Sequence, residues 1–383
     1  MAQTLRAGGI EKIEKWPVRR QDGAHDERRP RQQRSRHPVT APPPGYPAGP
    51  PHAYGPPWSA PLAKPGIIPL RPLTLGEIFN GAVGYVRANP RATLGLTVVV
   101  VVAMQIISKT AFYGPLAAYG RFSDTSSQRL SSAVIGASLA SVGAGVLVTA
   151  LGGMLLSGML TVIVGRAVFG APITIGETWT MIKGRLLPLL GLALLEMVAV
   201  ASLGGLAAVI VAVLAAIGSA AVAVVVGIPL FLAVVALLVY LWTIVLFAPV
   251  LIVLERLPVL DALTRSFRLV RGGFWRVLGI RALTFLVAAV VASAVAAPFS
   301  IAGQVLLAGT PTTGMFLLST VIVSVGASIG EILTAPFNAG VVVLLYADRR
   351  MRAEAFDLVL QTGAAGGPAA VASTDNLWLT RPA

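Results

Sequence analysis

From Leu186 to Leu254 only one residue, Glu196, carries a charge. A soluble helix keeps one face polar, and soluble domains are about a quarter charged residues, so a run of this length has no soluble core to enter. At about 1.5 Å per residue it can cross a hydrocarbon layer of about 30 Å twice. The mean hydropathy of +0.79, with 12% charged residues, extends the argument to the chain as a whole. The expectation is an all-α, polytopic membrane protein.

The stretch 257–282, LPVLDALTRSFRLVRGGFWRVLGIRA, shows how apolar runs are joined. Leu260, Leu263, Phe267, Val270 and Phe274 recur at steps of three and four and share one helical face, whereas Asp261, Thr264, Arg265, Arg268 and Arg271 share the other. That pattern predicts a helix lying on a membrane surface. A span of about 274–307 follows, then a turn at GTPTTG (309–314) and a last span of about 316–347.

The same joint occurs twice earlier. Thr74 and Glu77 have the spacing of a capping box, Leu75, Ile78, Phe79, Ala82 and Val86 form an apolar face, and Pro90 leads into a span of about 92–113. The polar segment 114–130 is expected outside, and 131–169 reads as one long helix because Gly152 and Gly153 leave no loop. Thr174 and Glu177 repeat the box, Ile175, Trp179, Ile182 and Leu186 repeat the face, and 186–254 then holds two spans turning near Gly218. Without a gap, Glu77 aligns with Asp261, Arg87 with Arg271 and Gly95 with Gly279, and Pro258 stands where Thr74 stands, as suits a first helical position. Six transmembrane helices are therefore expected over 65–360, as three repeats of an interfacial amphipathic helix plus a transmembrane hairpin. Gly204, Ala208, Ala212 and Ala216 predict a close helix contact. Pro249 and Pro336 predict bends.

Net charge is +14, but the basic residues fall in blocks between apolar runs, as in cytoplasmic loops. Both termini are then cytoplasmic in a multi-pass protein of the cell membrane, and no nucleic acid is needed to explain the charge. Arg87, Arg91, Lys183, Arg185, Arg265, Arg268 and Arg271 are candidate contacts for anionic lipid headgroups, at about 1 kcal/mol per basic residue. Residues 1–64 are Arg-rich and then Pro-rich, and with 361–383 they are expected to be disordered tails. Lys12, Lys15, Arg19 and Arg20 have no apolar run after them, so no cleavable signal is expected there.

Chemistry is sparse. All three histidines, His25, His37 and His52, lie in the first tail and there is no cysteine, which leaves no transition-metal site, no cofactor motif and no nucleophile–histidine pair in the apolar part. Glu196 and Glu331 are the acids inside the bilayer. A buried carboxylate costs several kcal/mol unless paired or protonated, so each is a candidate polar site. Arg281 and Asn338 are candidate partners, and Gln105, Gln304 and Thr334 could complete a polar interior.

Two segments carry a family resemblance. PGIIPLRPLTLGEIFNGA (65–82) and APFNAGVVVLLYADRRMRAEAFDLVL (335–360) resemble the two ends of the family known as the membrane domain of glycerophosphoryl diester phosphodiesterase. The resemblance implies a membrane part alone, because the soluble catalytic barrel with its metal has no counterpart here. No catalytic residue is carried over.

These observations point to a non-enzymatic, envelope- or lipid-related scaffold, lipid-binding element or subunit of a partner membrane protein. The alternative is a permease-like transporter of a small solute or lipid using Glu196 and Glu331.

Overall fold

The computed structural model describes residues 67–69, 71–118, 132–218, 220–309, 312–358 and 375–379, and no strand occurs among them. The first tail and most of the segment expected outside lie beyond the described residues. Ten α-helices follow in order: α1 (Leu75–Ala88), α2 (Pro90–Ala118), α3 (Ser132–Ala167), α4 (Ile175–Ile182), α5 (Leu186–Ile217), α6 (Ala220–Val245), α7 (Ala248–Leu254), α8 (Val259–Arg271), α9 (Phe274–Leu307) and α10 (Thr313–Glu354). Short 3-10 turns occupy Lys183–Arg185 and Asp375–Trp378.

Six segments are long and apolar enough to cross a membrane: Pro90–Tyr113, Gly136–Ala167, Ile175–Ile217, Ala221–Leu254, Phe274–Leu307 and Thr313–Glu354. That number matches the expectation. Successive spans pack together, α2 with α3, α5 with α6 and α9 with α10, and the short α1 packs along α10 as extensively as α5 does on α6. The small-residue stripe behaves otherwise: Gly204, Ala208, Ala212 and Ala216 are exposed, and α5 meets α6 through Val211 against Gly227.

Pro249 does more than bend its span. Its ring excludes the carbonyl four residues back and it has no N–H to donate, so α6 ends at Val245 and α7 restarts with Pro249 near its first turn. The hydroxyl of Ser266 on α8 fills the break, donating to Ile244 O and accepting from Phe247 N at 3.2 Å. Pro336 instead lies within an uninterrupted α10. Its carbonyl accepts from the buried Tyr85 hydroxyl, and burial pushes that phenol's pKa up, so it remains a donor.

The three short helices share a register. Both capping boxes form: Thr74 N donates to Glu77 at 2.7 Å and Glu77 N to Thr74 Oγ1 at 3.3 Å, with the matching pair at 3.0 and 3.3 Å for Thr174 and Glu177. The Thr74 backbone N–H, chiefly, holds the Glu77 carboxyl below its ordinary pKa, so this cap's stabilisation is present at neutral pH and fades as pH falls through the carboxylate range. Pro258 takes the N-cap position itself, one residue before the expected one, and Asp261 sits third in α8 as Glu77 does in α1. The fourth and eighth residues are buried in all three helices: Ile78 and Ala82, Thr178 and Ile182, Ala262 and Ser266.

This burial adds a packed face to the apolar one expected of α8. Leu260 is 73% and Phe267 39% exposed. The packed face is Ala262, Ser266, Leu269 and Val270, the last shared with the expected apolar face. The helix thus has three sides, with protein on one, exposed apolar residues on the next and basic residues on the last. Periodicity located the apolar side, but Ala262 and Ser266 are too small to register as a core stripe.

What fastens α1 and α8 to the bundle is the last two turns of α10. The Asp348 side chain, fully buried, accepts from Leu73 N at 2.8 Å and pairs with Arg276 Nε at 3.3 Å and Arg352 Nε at 2.9 Å. Leu73 O accepts from those same arginines at 2.8 and 3.1 Å, so the peptide leading into α1 is held at both polar atoms. Arg349 donates twice to Leu269 O, at 3.1 and 3.0 Å, satisfying a carbonyl that the end of α8 would otherwise leave open. Its guanidinium lies over Gly272 and Gly273, where no Cβ would fit beside it.

Arg350 turns to the other side. With Arg265 it surrounds Glu255, whose side chain is fully buried, at 3.6 and 2.6 Å, and both arginines also reach Glu354, at 3.0 and 2.9 Å. Tyr346 donates its hydroxyl to Glu255, and the Arg350 guanidinium stacks 3.9 Å from the centre of the Phe356 ring. Each acid precedes a non-glycine residue in the left-handed region, Arg256 at φ 57° and Ala355 at φ 51°. Such a backbone costs about 1–3 kcal/mol and persists where surrounding bonds hold it.

The C-terminal tail differs from the expectation. Asp375–Trp378 is a 3-10 turn whose Trp378 is 2% exposed, with ring centres 5.3, 5.8 and 6.2 Å from Phe356, Phe169 and Tyr346. Arg350 Nη1 fixes Trp378 O at 3.0 Å. One large aromatic residue in an otherwise small and polar tail supplies enough apolar surface to order it locally, about 2–3 kcal/mol.

A paired substitution tests this fastening. Gly273→Ala should lower the melting temperature in detergent by the equivalent of about 2–4 kcal/mol, since Arg349 must leave Leu269 O. Gly279→Ala, with nothing within 4 Å of its site, should be neutral.

Candidate functional site

The intramembrane polar residues divide into two places. Arg281 on α9 donates from Nη1 to Asn338 Oδ1 of α10 at 3.3 Å, and its guanidinium lies 5.1 Å from the centre of the Trp242 ring. A desolvated cation over tryptophan gains about 2 kcal/mol, so α6 and α10 both position this side chain. The Arg281 Nε is buried and has no partner among the described residues. A guanidinium has five N–H donors, and Asn338 occupies only one of them here.

The Arg281 side chain also borders open space. A cavity of about 740 Å3 lies between α3, α5, α6, α7 and α9, lined by Thr149 and Ser157, Glu196, Trp242, Pro249 and Arg281. Its volume is in the range of ligand-binding cavities. Glu196 makes no hydrogen bond or ion pair among the described residues. The restart of the helix at Pro249 and the small residues Gly143, Ala150 and Gly153 of α3 leave room that larger side chains would fill.

A second hollow adjoins the first. About 560 Å3 in volume and walled by Leu192, Leu195, Leu238, Val239, Leu241 and Leu263, it shares Glu196, Val200, Trp242 and Val245 with the polar cavity. Leu263 belongs to α8, so this apolar groove reaches the short helices. A charged recess therefore opens beside an apolar trough.

Glu331 stands apart. It meets Gln105 Nε2 at 3.5 Å and lines neither hollow. Gln304 is exposed, and the Thr334 hydroxyl donates to Gly330 O in its own helix, so neither joins a polar interior. Of the candidate headgroup contacts, Arg87, Arg91, Lys183, Arg268 and Arg271 are exposed, while Arg185 is half-buried with Nη1 3.5 Å from Arg256 O. Arg265 is committed to Glu255 and Glu354 inside the fold. Sequence reading overlooked Glu255 and Asp348 as buried acids. The available signal for Asp348 was LLYADRRMRAE, in which acid and arginines follow an apolar run directly.

This geometry defines a helical protein with six segments long enough to cross a membrane and a charged cavity among them. Residues 113–349, well over half the chain, match a family model described as a domain of unknown function, DUF7847. The chain belongs to that family. No curated protein and no solved structure matches it.

The bonding of Arg281 allows a test of whether it supports the fold. An unsatisfied buried charge is often replaced by an apolar side chain at no cost, so Arg281→Met should leave the melting temperature of ligand-free protein unchanged or raised. A fall equivalent to about 3 kcal/mol would make the residue a structural tie.

Proposed function

We propose that the protein is a non-enzymatic, multi-pass protein of the cell membrane that holds a membrane lipid and serves envelope- or lipid-related processes as a scaffold or as a subunit beside a partner membrane protein. The observation that carries this reading is the shared wall of the two hollows. A headgroup bearing both an anionic and a cationic group would face Arg281 and Glu196, and its chains would lie in the trough bounded by Leu192, Leu238 and Leu263. The scarcity of histidine and the absence of cysteine favour binding over catalysis. The likeness of the two end segments to the phosphodiesterase-associated membrane family favours the lipid-related part.

The same proposal includes three repeats, each a short helix followed by a hairpin. The common register of burial in α1, α4 and α8, with N-caps at Thr74, Thr174 and Pro258, supports it. These helices gather at the end of the bundle where α10 finishes, and the basic blocks there favour the cytoplasmic leaflet, with both termini on that side. A transporter is the second reading, favoured by Glu331 beside Gln105 and by the broken helix at Pro249.

Lipid extraction from protein purified in mild detergent tests the first reading. Wild type should carry a phospholipid near one per chain. Glu196→Gln with Arg281→Met should lose it, and Glu331→Gln should keep it. Equal lipid in all three, or none in wild type, would contradict lipid binding, whereas loss of solute uptake in Glu331→Gln alone would select the transporter.

A further inference from the structure

A third hollow lies at the end of the bundle where the short helices gather, and neither Glu196 nor Arg281 lines it. It encloses about 490 Å3, and four basic residues line it: Arg166 at the end of α3, Lys183 and Arg185 in the 3-10 turn between α4 and α5, and Arg256 between α7 and α8. Met181, Leu254 and Trp378 form an apolar wall. Arg166 is already partnered: among the described residues the exposed Glu177 approaches it at 3.8 Å while capping its own helix. Lys183, Arg185 and Arg256 have no acidic partner among the described residues.

Concentrating like charges around one recess costs energy unless an anion is supplied. Arg256 is held there in the left-handed backbone region at φ 57°, and Arg185 donates to its carbonyl at 3.5 Å, which brings two cationic side chains to one edge. Neighbouring arginines in the same fold, such as Arg265 and Arg350, are neutralised by buried acids. The contrast marks this recess as a place for an external anion. Guanidinium groups bind phosphate oxygens in pairs, basic recesses between helices near the cytoplasmic face suit lipid headgroups, and the Trp378 and Leu254 wall would accept the apolar portion next to the phosphate.

We propose that Arg166, Lys183, Arg185 and Arg256 form a binding site for a phosphate group, carried by an anionic phospholipid or present as free phosphate. The site is separate from the membrane-level cavity and does not depend on it.

The full chain in detergent should be titrated with dihexanoyl phosphatidylglycerol, with the zwitterionic dihexanoyl phosphatidylcholine, whose choline offsets the phosphate charge, as control, following melting temperature and complex mass by native mass spectrometry. Saturable stabilisation by phosphatidylglycerol is expected, weakened about tenfold in the double variant Arg185→Gln, Arg256→Gln. The exposed Lys183→Gln, which leaves the turn at Arg256 untouched, should weaken it by a few fold. Arg87→Gln with Arg91→Gln should leave it unchanged. Competition by inorganic phosphate would assign the phosphate itself as ligand, and its failure to compete would assign the lipid; either upholds the site. No saturable response, or equal weakening in the Arg87 and Arg91 variant, would overturn it.

Discussion

The last two turns of α10 tie α1, α8 and the turn at Trp378 to the bundle through buried acids met by arginines. Asp348 and Glu255, both at zero side-chain exposure, would each cost several kcal/mol in isolation. They are stable because Arg276 and Arg352 meet the first, and Arg265 and Arg350 the second. Helices that meet in lipid gain little from burying apolar surface. Specific polar bonds are therefore the means by which the short helices acquire fixed positions, and three consecutive residues, Asp348 to Arg350, present them to different neighbours. Asp348 reaches the segment before α1, Arg349 the end of α8, and Arg350 both the start of the α7–α8 link and Trp378.

Against that fully bonded cluster, the charges left open acquire meaning. Arg281 keeps a buried Nε without a partner, and Glu196 faces the same space from another helix. The fold neutralises Asp348 and Glu255 with its own arginines, whereas Glu196, Lys183, Arg185 and Arg256 have no opposite charge beside them among the described residues, and the two proposed sites rest on that contrast. The break at Pro249 lies on the wall of the cavity, and Ser266 of α8 fills the break.

Much of this was legible in the sequence, and what was not has identifiable causes. The six apolar segments follow from hydropathy, and the two capping boxes from Thr74, Glu77, Thr174 and Glu177, because each depends on local chemistry. The packed face of α8 was hidden because Ala262 and Ser266 carry no hydrophobic signal, and their burial depends on the partner surface rather than on the helix. Trp242 was not singled out, since its place beside Arg281 joins residues far apart in the chain. The ordering of Trp378 similarly depends on Arg350 and three aromatic rings from other elements. The polar residues expected to converge divided between the Arg281 cavity and the Glu331–Gln105 pair, because spacing along separate spans does not fix their depth or rotation.

Hydrogen exchange in detergent tests the fastening role of α10 most directly, comparing wild type with Asp348→Ala and with Arg350→Met. Asp348→Ala should raise exchange over residues 71–88, and Arg350→Met over 256–271 and 375–379, with α10 residues 313–330 protected in both. Unchanged exchange in those segments, or a uniform rise along the whole chain in both variants, would contradict a clamp that holds separate elements through separate residues.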